Sequence, residues 1–194
     1  MNPTITKKEA ILDAALTLFA KHGFDHVSVA MIAVQSNVTK SLIFHHFGNK
    51  EQLWDEVKQH YFSQYAQTQE ILFEQEKNPL ALIEKSVRNY FDFIKQNPLI
   101  ARFFSYAHLD NDDSCGDLDK PLIKQAGFLI ESAQQQGLIR ASINPTVLIM
   151  TFITGINQYF VARCRFEKWD EALYRDDDTF INHFVELLMA GIKP

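Results

Sequence analysis

The twelve residues from Thr39 to Lys50 concentrate hydrogen-bond donors, Thr39, Lys40, Ser41, His45, His46 and Lys50, with the apolar Leu42 and Phe44 set among them. At 100° per helical residue, Ile43 and Phe47 share one side, while Ser41 and His45 point away from it, flanked by Leu42 and Phe44. The inner pair packs, and the outer group is free to touch something else. Lysine and histidine donate to phosphate oxygens or base edges, serine and threonine hydroxyls do the same, and a leucine can meet a thymine methyl. Lys50 stands beside the free amides at the start of a following helix, which makes a seat for a phosphate.

Short helical patterns position this group. Ile11, Leu12, Ala15, Leu18 and Phe19 recur on one face of a helix predicted from about Thr6 to His22, and Gly23 ends it. Ser28 caps a second short helix that turns Val29, Ile32 and Ala33 toward the first. The turn Gln35-Ser36-Asn37-Val38 must reverse within very few residues, and asparagine is among the few non-glycine types that tolerate positive φ. Thr39 caps a third helix, Gly48 closes it, and Asn49 followed three residues later by Gln52 starts a long fourth. Three helices with these punctuations have the shape of a helix-turn-helix DNA reader.

The stretches Ile11-Leu12-Asp13-Ala14-Ala15, Leu18-Phe19, Gly23-Phe24, Ile32-Ala33, Val38-Thr39-Lys40-Ser41, Phe44-His45-His46-Phe47 and Lys50-Glu51-Gln52-Leu53 resemble, in order and spacing, the tetracycline-repressor (TetR) family. The resemblance covers roughly the first quarter of the chain. It implies an all-α homodimer that binds a near-palindromic operator, usually represses, and lets go when a small molecule enters the C-terminal body. By position it also implies that Ser28 and Thr39 contact phosphate, that Lys40, Ser41, Leu42 and His45 face bases, and that Lys50 is the lysine at the head of helix four. Phe44 stands where the family usually has a tyrosine whose hydroxyl meets a phosphate, Asn37 replaces the usual turn glycine, and Ser41 replaces a frequent glycine or alanine.

At 194 residues, with 46% hydrophobic and 22% charged, the chain has room for a small reader and a body with its own core. We divide it at residue 49: 1–49 as the DNA-binding domain and 50–194 as the ligand-binding and dimerisation domain. The net charge of −5 is unevenly spread, since residues 1–50 hold five Lys/Arg against three Asp/Glu and the remainder fourteen against twenty-one. An acidic body behind a mildly basic reader repels phosphate everywhere except at the reading face. No apolar run of ~18 residues exists and the N-terminus lacks a signal-peptide order, so a cytoplasmic location is expected and no membrane partner. Cys115 and Cys164 are too few and too separated to frame a fold, and read as free thiols.

In the body, one long helix should run from Lys50 to about Glu76, and Pro79, Pro98 and Pro121 each open a further one. Asn144-Pro145 starts an eighth, apolar nearly all round, and a ninth runs from near Asp178 to Ala190 with Phe180, Ile181, Phe184, Val185 and Leu188 on one broad face. The two suit a four-helix contact between subunits, with Phe160, Phe180, Ile181, Phe184 and Leu188 as interface residues and Gly155 allowing close approach; the alternative is one unusually buried core helix. Phe62, Tyr65, Tyr90, Phe104, Phe128 and Phe152, with His108 and Asn157 as polar anchors, are candidates to line a cavity for a flat or apolar ligand. Arg88, Arg102 or Arg163 is placed to receive an anion on such a ligand, and a plain packed core is the alternative for each aromatic.

Four segments invite readings that their residues do not sustain. Asp110-Asn111-Asp112-Asp113-Ser114 lacks the glycine and glutamate of a calcium loop. Asp176-Asp177-Asp178 reads as the acidic start of the ninth helix. Neither His45-His46 nor His22 with His26 has metal-ligand geometry. With no glycine-rich phosphate loop, metal-ligand spacing or nucleophile motif, an enzyme is not expected, nor a cofactor. The sequence reads as a ligand-responsive DNA-binding regulator, and the resemblance implies a repressor; the alternative is a DNA-binding protein without a ligand, controlled by a protein partner or organising the chromosome.

Overall fold

The structure is a computed structural model that describes residues 6–109 and 116–194, the side chains of His108, Leu109, Leu173 and Tyr174 excepted. The chain forms α1 (Lys7–His22), α2 (Val29–Gln35), α3 (Lys40–Phe47), α4 (Lys50–Gln75), α5 (Pro79–Gln96), α6 (Pro98–Leu109), α7 (Lys120–Gln135), α8 (Pro145–Val161), α9 (Arg163–Phe166), α10 (Glu171–Arg175) and α11 (Asp177–Ile192). The fold is all-α, with no strand among the described residues. Nine of these helices are those read from periodicity and caps. The four-residue α9 and five-residue α10 are additional, because a single turn is too short to show a hydrophobic period.

Local chemistry starts most of the helices. Thr6 and Glu9 form a reciprocal capping box, the Thr6 hydroxyl accepting from the Glu9 amide at 3.2 Å and the Glu9 carboxylate accepting from the Thr6 amide at 2.7 Å. Asn78 and Asn144 cap α5 and α8, each immediately followed by the proline that opens the helix. Asp176 caps α11 through the amides of Asp178 and Thr179, and hydrogen bonds from Thr179 hold its carboxyl below the usual carboxylate range. Asp177, one residue on, accepts from the Tyr159 hydroxyl at 2.7 Å and pairs with Arg163 at 3.1 Å. The acidic triplet is thus a helix start with ion-pair partners. The segment 110–115, which contains Cys115, lies outside the described residues.

The chain divides into two compact units, one made of the described residues of Met1–Ser63 and Leu99–Cys115, the other of Gln64–Pro98 and Gly116–Pro194. This grouping differs from the division drawn at residue 49, and the first unit's core gives the reason. Phe19, fully buried, meets Trp54 of α4 edge-on at 5.0 Å between centroids and Phe103 of α6 at 6.4 Å, and Trp54 and Phe103 approach to 4.4 Å. The first half of α4 and α6 therefore complete the core that the three short N-terminal helices cannot close alone. In the second unit α5 packs against α8, with Val87, Tyr90, Phe91 and Ile94 facing Leu148, Phe152, Ile156 and Tyr159 in the buried interior. Gln69 is buried there too, donating to Ser86 at 2.6 Å and accepting from Asn89 at 3.1 Å, so its amide is satisfied inside the α4–α5 contact. No described helix is long and apolar enough to cross a membrane.

Candidate nucleic-acid interface

The reversal between α2 and α3 is made at Asn37, whose φ of 53° is the positive value its side chain was expected to allow. Ser28 and Thr39 cap α2 and α3, accepting from the amides of Met31 at 3.3 Å and Leu42 at 3.2 Å. Each hydroxyl still has its own hydrogen to donate outward. Ile43 and Phe47 are buried, 1% and 4% exposed, while Lys40, Ser41, Phe44, His45 and His46 are exposed and Leu42 is half-buried. The outward face of α3 therefore carries an ammonium, a hydroxyl and two imidazoles beside an apolar strip. Gly48 ends the helix at φ 76°, in the left-handed region that favours glycine at the junction with α4.

Two features of this face escaped sequence reasoning. Met31 and Val34 of α2 are exposed, Val34 to 83%, which extends the apolar strip beyond α3. Helical periodicity at seven residues is too short to separate an outward valine from an inward one. Lys50, read from the sequence as part of a phosphate seat, donates to the Phe24 carbonyl at 3.0 Å and lies 4.0 Å from the centroid of the Phe24 ring. A groove of about 560 Å³ also flanks the end of α3, lined by His46, Gly48, Gln52, Asp55 and Glu56 among others. Its carboxylates make it unsuited to phosphate.

Residues 11–57 match the model of the bacterial regulatory proteins of the tetR family. The chain is 29% identical to the HTH-type transcriptional regulator RutR of Escherichia coli over 197 aligned residues, covering 97% of this chain and 91% of the relative. It is similar in structure to a TetR-family transcriptional regulator from Haemophilus influenzae, with a TM-score of 0.67, 20% identity and 97% of each chain covered. Over residues 11–57 the chain matches the tetR family, and along most of its length it is similar to transcriptional regulators. Its kin are transcriptional regulators, not enzymes. The fold is also that of the transcriptional regulator FadR from Bacillus subtilis in complex with stearoyl-CoA, at a TM-score of 0.75 and 18% identity over 94% of this chain and 98% of that one.

In this chain the candidates for a ligand cavity separate. Tyr65, Tyr90 and Phe152 are buried together, Tyr65 and Tyr90 edge-on at 5.3 Å and Tyr90 and Phe152 at 6.1 Å. The Tyr90 hydroxyl donates to the half-buried Asn157 at 2.9 Å. Phe62 and Phe104 belong to the first unit, where Phe104 lies edge-on to Phe103 at 5.6 Å. Phe128 is 60% exposed on α7, with Lys124 near its ring, so it faces outward from the cluster. The side chain of His108 lies outside the described residues. Two of the three arginines weighed as anion receptors have internal partners: Arg88 binds Glu84 and Asn182, and Arg163 binds Asp177. Arg102 is exposed in the first unit.

The helices expected to meet a second subunit are likewise sorted by burial. Phe180 stacks on Tyr159 at 3.7 Å and neighbours Phe91 and Phe184, Ile181 is buried, and Phe160 packs against Phe91 at 5.3 Å. Phe184 lies over Gly155, where an added Cβ would come within 2.8 Å of its ring, so this glycine serves packing inside the chain. Leu188 is half-buried. The apolar groups left facing out are Val147, Met150 and Val161 of α8 and Leu187 of α11, exposed 57%, 58%, 41% and 74%.

The buried tyrosines give the protein an alkaline limit. Burial is the main cause that pushes Tyr65 and Tyr90 well above the usual value of 10.0, and burial with the hydrogen bond to Asp13 does the same for Tyr61. Because the folded pKa exceeds the unfolded one, the associated stability is fully present below pH ~10 and is lost as pH rises beyond it. Tyrosinate absorbance should therefore rise in two stages, the second coinciding with loss of helical circular dichroism. A single early stage that includes all the tyrosines would contradict their burial.

Proposed function

We propose that this chain is a transcriptional repressor that acts as a homodimer on a near-palindromic operator and is released by a small molecule bound in its C-terminal unit. The carrying observation is the sidedness of α3: Ile43 and Phe47 are buried while Lys40, Ser41 and His45 stand in solvent behind the Thr39 cap. Such a helix enters a major groove with its donors toward base edges, and a two-fold dimer spaces two of them one DNA turn apart, roughly 34–36 Å. Ser28 and Thr39 donate to phosphates on either side, and Phe44 lays an apolar ring against sugar or a thymine methyl where a tyrosine would have bonded to phosphate. Fourteen Lys/Arg against twenty-one Asp/Glu in residues 51–194 keep the remainder of the molecule off the duplex.

For the effector, the Tyr65–Tyr90–Phe152 cluster with Asn157 supports a largely apolar molecule that offers a hydrogen-bonding group. A fold neighbour that holds stearoyl-CoA agrees with an apolar occupant. The effector shifts the equilibrium only as far as it binds one spacing of the readers better than the other. A protein of this kind works in the cytoplasm.

Selection of bound duplexes from a random pool tests the DNA-reading proposal. An inverted repeat should emerge, and Ser41→Ala or Leu42→Ala should change the preferred bases, with ~1–3 kcal/mol of discrimination altered at one position per half-site. Uniform weakening over every duplex would show that these residues do not read sequence. Thermal-shift titration with small aromatic and fatty compounds tests the effector, because only a bound ligand raises the transition with its own concentration.

A further inference from the structure

We infer that Lys50 is a positioning residue that holds the loop between α1 and α2 to the first turn of α4, rather than a phosphate contact. The inference rests on the DNA-reading function proposed above, and concerns how the reader is oriented. Three observations converge on Phe24. The Lys50 ammonium donates to its carbonyl at 3.0 Å and lies 4.0 Å from its ring centroid, so one cation engages both the backbone and the π face of a single residue. Trp54, one helical turn beyond Lys50, meets the same ring edge-on at 5.3 Å. Phe19 of α1 stacks against it at 5.9 Å.

Gly23, at φ 77°, ends α1 and sends the chain into Phe24, whose carbonyl also accepts from the Val27 amide at 3.2 Å. Ser28, the cap of α2, follows directly. A grip on Phe24 therefore fixes the residue from which α2 is launched, four positions before its cap. Lys50 and Trp54 apply that grip from one helix face, and any rotation of the first turn of α4 is carried into the loop. A half-buried ammonium already bonded to a carbonyl and covered by a ring has less to gain from a phosphate than an exposed one such as Lys40.

The test uses Lys50→Met, which keeps the stem and deletes the charge, and Phe24→Leu, which removes the ring. In the DNA-free protein, amide exchange at Val27 should accelerate about tenfold in Lys50→Met, since the loop loses its anchor. Operator affinity should fall while the slope of log K against log salt stays at the wild-type value, and the double variant should bind no more weakly than the worse single one. A slope flattened by about one per subunit would return Lys50 to the phosphate and overturn the inference. Unchanged exchange at Val27, or additive losses, would overturn it equally. Absence of any duplex preference in the wild type would instead defeat the DNA-reading proposal, while the exchange measurement would still decide the grip.

Discussion

Glutamate at both Met150 and Leu187 yields a folded, helical monomer whose operator affinity is lower by ~10²–10⁴, the range by which joining two weak sites exceeds either one. The expectation starts from the two sides of α8. Leu148, Ile149, Phe152, Ile156 and Tyr159 are buried in the unit, whereas Val147, Met150, Thr151, Thr154, Gln158 and Val161 recur every three or four residues in solvent. With Leu187 on α11, this leaves apolar groups exposed that a second copy would cover. Charged carboxylates there cost nothing in the monomer and oppose burial between copies. Sedimentation and duplex binding measure the two halves of the expectation together. A double variant that remains dimeric would place the subunit contact elsewhere. Phe180→Glu is the contrasting substitution: that ring lies 3.7 Å from Tyr159 inside the chain, so the variant should lose its fold instead of its partner.

Phe19→Ala should cost about 3–5 kcal/mol of stability, the range for deleting a large ring from a packed core. Phe19 has no exposed surface and sits among Phe24, Trp54 and Phe103, so truncation opens a void bounded by three other rings. That is a large share of the roughly 5–15 kcal/mol that a domain has in total. Phe19→Leu, which refills much of the volume, should recover more than half of the loss. Urea unfolding followed by tryptophan fluorescence gives both values, because Trp54 stands 5.0 Å from the deleted ring. A loss below about 1 kcal/mol for the alanine variant would mean that the site collapses freely, and that the aromatic core does not hold α6 to the reader.

Much of the molecule was legible before any coordinates. Caps act over two or three residues, so Ser28, Thr39, Asn49 and Asn144 announced their helices and all four accept the amides that such residues are placed to accept. The inward pair Ile43 and Phe47 followed from helical geometry alone. Asn37 marked the tight turn because few side chains accept its φ.

Residue types and spacings by themselves determined the all-helical plan, the start of each long helix and the outward face of α3, since each depends on interactions within four residues along the chain. Tertiary structure alone decided which partner each versatile side chain takes. Lys50 reaches back 26 positions to Phe24, Arg88 crosses to Asn182, and Phe128, aromatic like its buried neighbours, turns outward. Phe180 packs within its own chain while Met150 and Leu187 face outward. Periodicity can mark a helix as apolar on two sides, but choosing which side the same chain covers requires the packing of helices distant in sequence.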